Sequence, residues 1–244
     1  MALRQGSGSM TFLTTDPKIL VLAFLGGLIP SLLWLWFWLR EDDKHPEPKS
    51  ILTVVFIMGM LAVIVVLPIQ KFIQTNVSSS NLEIILWASV EEILKYLAVL
   101  TVLYKTNLAE EPIDWPIYLV TAALGFAALE NTLFLLKLFP ISGATVALLT
   151  GQLRFLGSTL LHTISSGMIG IAIGLSFFMK EWKKEWFLLV GFTIAITLHS
   201  TFNFFIISGS GSNFLRILAF LWVVTIIVML LFEKVRRMSE KIIS

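Results

Sequence analysis

The chain alternates between long apolar runs and short polar segments. Each run has about 20 residues, the length of a helix that crosses the hydrocarbon core of a bilayer. The runs are continuous and do not alternate between polar and apolar positions, so they predict helices and not the strands of a membrane barrel. The pattern therefore predicts an all-α, polytopic integral membrane helical bundle with seven transmembrane helices. The predicted spans are residues 19–39, 51–69, 82–104, 117–139, 153–179, 186–207 and 214–232.

One region, residues 144–179, is too long for one simple span and too short for two. Gly151, Arg154 and Gly157 interrupt the first part of its apolar pattern. We expect a short interfacial or re-entrant piece there, followed by the fifth span. A second full crossing would give eight helices and would invert the orientation of everything that follows.

Composition agrees with a membrane protein, since 57% of the 244 residues are hydrophobic and only 14% are charged. The chain has no cysteine, which excludes disulfides, thiolate catalysis and zinc sites with cysteine ligands. A formal net charge of +2 gives no indication of a nucleic-acid partner.

Residues 1–9 are Gly-Ser-rich and precede a second methionine, Met10, so we interpret them as an expression remnant. Residues 10–244 are then a single membrane-embedded domain. No cleavable signal peptide is expected, because the first run is too long and ends at Arg40.

The distribution of basic residues predicts the orientation, because short cytoplasmic loops are rich in lysine and arginine. One side of the predicted bundle collects most of them: Arg40, Lys44, Lys49, Lys105, Lys180, Lys183, Lys184, Lys234, Arg236, Arg237 and Lys241. The other side has fewer: Arg4, Lys18, Lys71, Lys137 and Arg216. We therefore expect a multi-pass protein of the plasma membrane with its N-terminus outside and its C-terminus in the cytoplasm.

Two adjacent carboxylates, Glu91 and Glu92, lie inside the third predicted span, together with Lys95. A charged side chain near the bilayer centre costs a few kcal/mol or more, so such residues normally face a protein interior or a wet cavity and mark a function. Lys95 is three residues after one glutamate and four after the other, so it could neutralise either of them. A buried ion pair that only fixes helix packing is the alternative interpretation.

Further polar residues occur at a similar predicted depth in three other spans. They are Glu130, Asn131, His162, His199 and Asn203. With a rise of 1.5 Å per residue, all of them fall in one slab in the middle to outer half of the membrane. Polar residues that are tolerated independently of one another would scatter in depth. The shared depth therefore indicates a single site supplied by four helices.

This set of side chains is suited to hydrolysis. A carboxylate can take a proton from water, while histidine and asparagine donate hydrogen bonds to the oxyanion that develops. His199 and Asn203 are one helical turn apart and so share a face. A glutamate and two histidines could equally hold zinc with an open position for water, and His162, His199 and Glu130 are the candidate ligands. Arg154 is expected either to snorkel to the outer interface or to position a substrate or a carboxylate.

Four motifs taken together resemble those of the PrsW family of intramembrane proteases, which belongs with the CAAX prenyl endopeptidases and bacteriocin-immunity proteins in a wider superfamily. They are Glu91-Glu92-x-x-Lys95, Phe126-x-x-x-Glu130-Asn131, His162, and His199-x-x-x-Asn203. The resemblance covers about residues 20–232 and implies a multi-span protease that cleaves membrane-tethered proteins. The best-known role in the family is first-site cleavage of an anti-sigma factor. The resemblance leaves both a zinc mechanism and a metal-free glutamate mechanism open.

The resemblance also implies roles for individual residues. Glu91 is expected to be the general base, with Glu92 and Lys95 as an ionic pair beside it. His199 and Asn203 are expected to bind water and the oxyanion. Beyond what the resemblance implies, we expect Glu130 and His162 to be further polar or metal ligands, supported by Asn131 and Arg154. The wider superfamily usually has histidine where this chain has Glu130-Asn131, a departure that fits the PrsW branch.

Two alternatives from other classes remain open at the level of the sequence. A proton- or cation-coupled transporter could use the same glutamates as a relay, although it should show inverted repeats, and none is clear. A non-catalytic scaffold or immunity-type protein could use the polar slab only to specify packing. The expected partners are a membrane-anchored protein substrate and the lipid bilayer, with no nucleic acid.

Overall fold

A computed structural model describes residues 16–40, 46–104, 108–208 and 214–243. These residues form seven α-helices and no strand. The helices are α1 (Pro17–Leu39), α2 (Lys49–Asn76), α3 (Ser80–Leu103), α4 (Asp114–Arg154), α5 (Leu160–Ser176), α6 (Glu181–Ser208) and α7 (Phe214–Ile243). The suspected remnant at residues 1–9 lies outside the described residues, as do parts of the predicted loops around residues 41–45, 105–107 and 209–213.

Six helical stretches in the described part of the chain are long and apolar enough to cross a membrane. Two of them come from the region of α4 and α5, because a break at Gly143 separates Asp114–Gly143 from Thr145–Ser176. The seventh helix, α3, has 24 residues, but Glu91, Glu92 and Lys95 lower its hydropathy. The prediction of an all-helical, multi-pass membrane bundle is confirmed.

The region of residues 144–179 differs from its prediction. Gly143 has a φ of +76°, which glycine adopts without steric cost, and the chain reverses direction there. Leu135 then packs against Gly151, and Asn131 contacts Thr159 across the turn. Beyond the turn, Thr145–Ser176 is one continuous helical stretch of 32 residues. The prediction of a separate interfacial or re-entrant piece is therefore wrong, and one helical stretch leaves no second full crossing in this region.

The continuity depends on a short π-helical segment, Phe155–Thr159, which joins α4 to α5. An extra residue in a helical turn rotates the side chains that follow, and such segments are frequent at functional sites. Here the π segment takes up the irregular pattern around Arg154 and Gly157 without ending the helix. The sequence showed the irregularity but not the way in which the backbone accommodates it.

The centre of the bundle is formed by α4 up to Gly143 and by the stretch containing α5, in which most residues are buried. Few residues of α1, α6 and α7 are buried, as expected for helices that face lipid. The α2 helix crosses α4 at a pair of glycines. A Cβ atom added to Gly59 would lie 2.0 Å from the Ala122 carbonyl oxygen, and one added to Gly125 would lie 2.0 Å from the Phe56 carbonyl oxygen. Small residues allow the two backbones to touch, which stabilises helix packing in membranes.

We expect Gly125→Ala to lower the free energy of unfolding by about 1–3 kcal/mol, the usual cost of overpacking. The added methyl group would meet the α2 backbone, which cannot move as a flexible side chain can. Thermal unfolding in detergent micelles measures the effect. Gly167→Ala is the matched control, because its Cβ would meet only a Val120 side-chain atom at 3.4 Å. Equal unfolding temperatures for both variants would contradict the close crossing.

Candidate active site

Three charged residues of α3, Glu91, Glu92 and Lys95, are buried inside the bundle. Glu92 and Lys95 have no exposed surface, and Glu91 is 7% exposed. The Lys95 Nζ atom lies 2.6 Å from Glu92 Oε1. The lysine therefore forms its ion pair with Glu92 and not with Glu91. The helical spacing allowed either pairing, and packing against the other helices selects this one.

Glu92 is held by side chains from three helices. Besides Lys95, His199 Nδ1 on α6 lies 2.7 Å from Glu92 Oε1, and the Ser166 hydroxyl on α5 donates to Oε2 over 2.7 Å. Every described partner of this carboxylate is a donor or an imidazole, so the group is satisfied and fixed. Sequence reasoning missed Ser166, although it lies one turn after His162 on the same face of α5.

His162 has partners on both sides of its ring. Its Nε2 atom lies 2.8 Å from Glu130 Oε2, and its Nδ1 atom lies 3.2 Å from Lys95 Nζ. The ring packs against Phe126, with the centroids 5.3 Å apart, and edge-on against His199 at 5.0 Å. The two histidines are therefore neighbours in one pocket, as the shared depth predicted.

A second polar group surrounds Glu130 and is partly open to the surroundings. Arg154 Nη2 lies 3.2 Å from Glu130 Oε1, while Arg154 Nε donates to Asn131 Oδ1 over 2.6 Å. Asn131 in turn donates to Thr159 over 2.9 Å, and Arg154 Nη2 contacts the Ser158 hydroxyl at 3.2 Å. The Glu130 side chain is 35% exposed and that of Arg154 is 20% exposed. This group therefore forms an accessible edge of the enclosed site and fixes Glu130 against His162.

Glu91 has two oxygens in different environments. Its Oε1 accepts a hydrogen bond of 2.7 Å from the Gln70 amide on α2. Its Oε2 is buried and has no hydrogen-bond partner among the described residues. Two basic nitrogens of the described residues lie within 4 Å of Oε2: His199 Nε2 at 3.5 Å and His162 Nδ1 at 3.9 Å. A buried carboxylate oxygen without a partner is costly, so this atom is the place where a bound group is expected.

Asn203 is the one predicted catalytic residue that the geometry leaves apart. It is half-buried on α6, one turn beyond His199. Within the described part of the chain, no hydrogen bond joins its side chain to the cluster. The other predicted residues, including the supporting Lys95, Asn131 and Arg154, form one connected network.

The comparison with known proteins bears directly on this network. A family model described as PrsW family intramembrane metalloprotease matches residues 47–232, which include every member of the cluster. The chain belongs to the PrsW family. It is therefore a multi-pass intramembrane protease by family, and the transporter and scaffold alternatives lose their support.

Curated relatives agree with the family assignment. The chain is 27% identical over 185 residues to "Protease PrsW" of Geobacillus kaustophilus, covering 75% of this chain and 78% of that protein. It is 31% identical over 189 residues to "Protease PrsW" of Clostridioides difficile, covering 74% and 77%. "Protease PrsW" of Bacillus subtilis is 24% identical over 201 residues, covering 80% and 88%. No solved structure matches the chain.

The PrsW family is described as a metalloprotease family, and three residues here fit a metal. Glu91, His162 and His199 each offer one ligand atom, and these atoms lie within 4.8 Å of one another. In a tetrahedral zinc site with bonds of about 2.0–2.1 Å, neighbouring ligand atoms lie about 3.4 Å apart. The separations of 3.5 and 3.9 Å from Glu91 Oε2 to the two imidazoles approach that value. This group contains Glu91 where the sequence suggested Glu130.

The surroundings of the two histidines support the same interpretation. Metal-bound histidines usually place their other ring nitrogen against a carboxylate, which fixes the ring. His162 has Glu130 on that nitrogen, and His199 has Glu92. Glu130 is therefore better placed to orient a ligand than to be one. The Lys95 ammonium faces His162 Nδ1, so occupation of that nitrogen by a metal requires Lys95 to interact with Glu92 alone.

Proposed function

We propose that this PrsW-family protein hydrolyses a peptide bond of membrane-anchored proteins with water activated at Glu91. The observation that carries the proposal is the buried Glu91 Oε2 atom, which has no hydrogen-bond partner among the described residues and faces His162 and His199. Water placed between these three groups has an acceptor for its proton and two imidazoles beside the reacting carbonyl. No other described residues combine these features.

In the metal-free form of the proposed reaction, Glu91 Oε2 takes a proton from water as the water oxygen forms a bond to the carbonyl carbon of the substrate. The ring nitrogens of His162 and His199 that face the pocket accept from the water, because their other nitrogens donate to Glu130 and Glu92. The Asn203 amide, one turn beyond His199, is the proposed donor to the negative charge that develops on the carbonyl oxygen. Glu91 then gives the proton to the amide nitrogen as the carbon–nitrogen bond breaks. The products are a new carboxyl terminus and a new amine terminus, and Glu91 returns to its starting state.

The remaining residues position these groups. Glu92, fixed by Lys95 and Ser166, holds His199 through Nδ1 and directs Nε2 towards Glu91. Glu130, fixed by Arg154, holds His162 through Nε2. Two carboxylate–histidine pairs thus face the same Glu91 oxygen. We retain Asn203 as a candidate for substrate binding, since it lies one turn from His199 on the same face of α6.

We propose zinc as the metal, with Glu91, His162 and His199 as its ligands. A zinc ion in this position would polarise the carbonyl and make water a nucleophile at neutral pH. In that case Glu91 acts as a ligand, and in the metal-free case it acts as the base alone. Both cases depend on the same Oε2 atom, so the experiment that separates them must measure the metal itself.

Elemental analysis of purified protein decides between the two cases. We expect about one zinc ion per chain in the wild type and a loss of most of it in His162→Ala and His199→Ala, because each variant removes one of three ligands. Glu181→Gln is the control, since Glu181 is 83% exposed and lies outside the cluster. Full cleavage activity after verified removal of zinc would contradict the metal assignment and leave Glu91 as a metal-free base.

The basic residues support an orientation with the N-terminus outside and the C-terminus in the cytoplasm. Lys180 precedes α6, and Lys183 and Lys184 lie in its first turn, at the cytoplasmic side in this orientation. The end of α2 and the start of α3 lie at the outer side. Glu91 lies eleven residues after the start of α3, so its depth is about 16 Å from the outer end of that helix. We therefore propose that cleavage occurs in the outer half of the membrane, where a single-span substrate such as an anti-sigma factor could be cut on its extracytoplasmic side.

The absence of cysteine allows a clean test of orientation. We expect a cysteine introduced by Ser79→Cys to react with a membrane-impermeant maleimide in intact cells. The equivalent change at the other side, Lys183→Cys, should react only after the cells are opened. Mass spectrometry of the purified protein measures the labelling. The reverse pattern would place the C-terminus outside and the site in the inner half of the membrane.

A further inference from the structure

Among the described residues outside the two histidine-bearing helices and α3, Gln70 on α2 is the one that forms a hydrogen bond or ion pair with the Glu91 carboxylate. Its amide Nε2 donates to Glu91 Oε1 over 2.7 Å. Gln70 is half-buried and lies six residues before the end of α2, which continues beyond the predicted end of the second span to Asn76. The helix that contributes Gln70 supplies no other described member of the polar network.

Trp87 fixes the backbone at the same position. Its indole Nε1 donates to the main-chain carbonyl oxygen of Gln70 over 3.2 Å. Trp87 and Glu91 are four residues apart, so they lie on one face of α3 and both point towards α2. Trp87 thus holds the main chain of Gln70, and the side chain of Gln70 holds the carboxylate of Glu91, one turn further along α3.

The hydrogen bond distinguishes the two oxygens of Glu91. The final torsion of a glutamate side chain is broad, so an unrestrained carboxylate rotates easily and presents either oxygen. With Oε1 engaged by Gln70, the Oε2 atom is directed at His162 and His199. Groups that orient a reactive or metal-binding carboxylate typically change metal affinity or activity by 10–100-fold when they are removed.

We propose that Gln70 is a positioning residue that fixes the Glu91 carboxylate with Oε2 towards the two histidines. The inference rests on the proposed function of Glu91, and it adds a residue from α2 that none of the four sequence motifs contains. Gln70 does not touch the reacting atoms, so its effect must pass through Glu91. That requirement separates a positioning role from a general contribution to packing.

The test compares Gln70→Met with wild type in two measurements on the full-length protein. Methionine has a similar length but no hydrogen-bond donor. We expect the dissociation constant for zinc, measured by competition with a chelator, to rise 10–100-fold. We expect kcat for a single-span substrate to fall by a similar factor, with KM changed less than about threefold, since the substrate contacts remain. Gln74→Met, at an exposed glutamine one turn further along α2, should leave both quantities unchanged.

The same substitution in a Glu91→Ala protein shows whether Gln70→Met acts through Glu91. In a Glu91→Ala protein there is no carboxylate to orient, so adding Gln70→Met should leave the remaining zinc affinity unchanged. Equal weakening of zinc binding in both backgrounds would mean that Gln70 acts through packing, and the inference would be overturned. Zinc affinity and kcat within twofold of wild type for Gln70→Met would also overturn it.

The proposed function can fail separately from this inference. If the wild type cleaves substrate without binding zinc, the metal assignment fails, and the change in kcat of Gln70→Met alone decides the role of Gln70. If the wild type binds zinc but cleaves no substrate, the hydrolytic proposal fails, and the zinc affinities in the two backgrounds decide. In both cases, either kcat or the dissociation constant for zinc remains measurable and tests the positioning role of Gln70.

Discussion

Glu91→Gln is expected to lower kcat for cleavage of a membrane-anchored substrate by ~10²–10⁴-fold, the range lost when a general acid–base group is removed. The substitution keeps the shape of the side chain and an oxygen that can accept from Gln70, but it removes the carboxylate that faces His162 and His199. The fold should survive, because Oε2 makes no hydrogen bond with the described residues that the change could break. Initial rates in proteoliposomes, together with thermal unfolding in detergent, measure the two effects.

The control for this prediction is Glu181→Gln at the exposed start of α6, which should retain wild-type kcat. A Glu91→Gln protein that unfolds at the wild-type temperature and has lost activity supports a chemical role. A Glu91→Gln protein with wild-type kcat would exclude Glu91 from the reaction.

Removal of one partner of the buried Glu92–Lys95 pair is expected to lower the free energy of unfolding by about 3–5 kcal/mol. Both side chains are fully buried, so Glu92→Ala leaves an ammonium group without its carboxylate, and Lys95→Ala leaves the carboxylate with His199 and Ser166 only. The double variant should be less destabilised than the sum of the single variants, because it leaves no unpaired charge from this pair. Reversible unfolding in mixed micelles measures all three.

The chain contains a matched control for this pair. Glu181 and Lys184 have the same spacing of three residues and a distance of 2.8 Å, but their side chains are 83% and 39% exposed. Breaking that exposed pair should cost no more than about 1 kcal/mol. Equal losses of unfolding free energy for the two pairs would contradict burial as the cause of the larger effect at Glu92 and Lys95.

Much of the fold could be predicted because each helix carries its own signal. The apolar runs located all seven helices, and the basic loops suggested their direction. The error at residues 144–179 had a local cause: Gly143 turns the chain, while Gly151 and Gly157 lie inside a helix. A glycine that ends a helix and a glycine that allows close packing look alike in a sequence, and only the neighbouring helices distinguish them.

The members of the site were easier to predict than their partners. Charged and imidazole side chains in apolar helices are costly, so Glu91, Glu92, His162 and His199 could be found from composition and depth. Gln70 and Ser166 carry no charge and are common at helix ends and in helix packing, so nothing in the sequence separated them from ordinary polar residues.

The assignment of partners required three-dimensional packing. Helical spacing allowed Lys95 to pair with either glutamate, and it gave no information about which ring nitrogen of a histidine faces which helix. The structure places Glu130 on His162 and Glu92 on His199, which leaves Glu91 as the carboxylate between the two rings. The suggestion of Glu130 as a metal ligand followed from its depth, and depth alone cannot give the direction of a side chain.

The most direct test of the central claim is cleavage of a purified single-span substrate in proteoliposomes prepared in H₂¹⁸O, with the products identified by mass spectrometry. We expect the wild type to produce two fragments and the new carboxyl terminus to carry one ¹⁸O atom. We expect Glu91→Gln to produce neither fragment at a comparable rate. Cleavage by Glu91→Gln at the wild-type rate, or fragments without ¹⁸O, would contradict hydrolysis by water activated at Glu91.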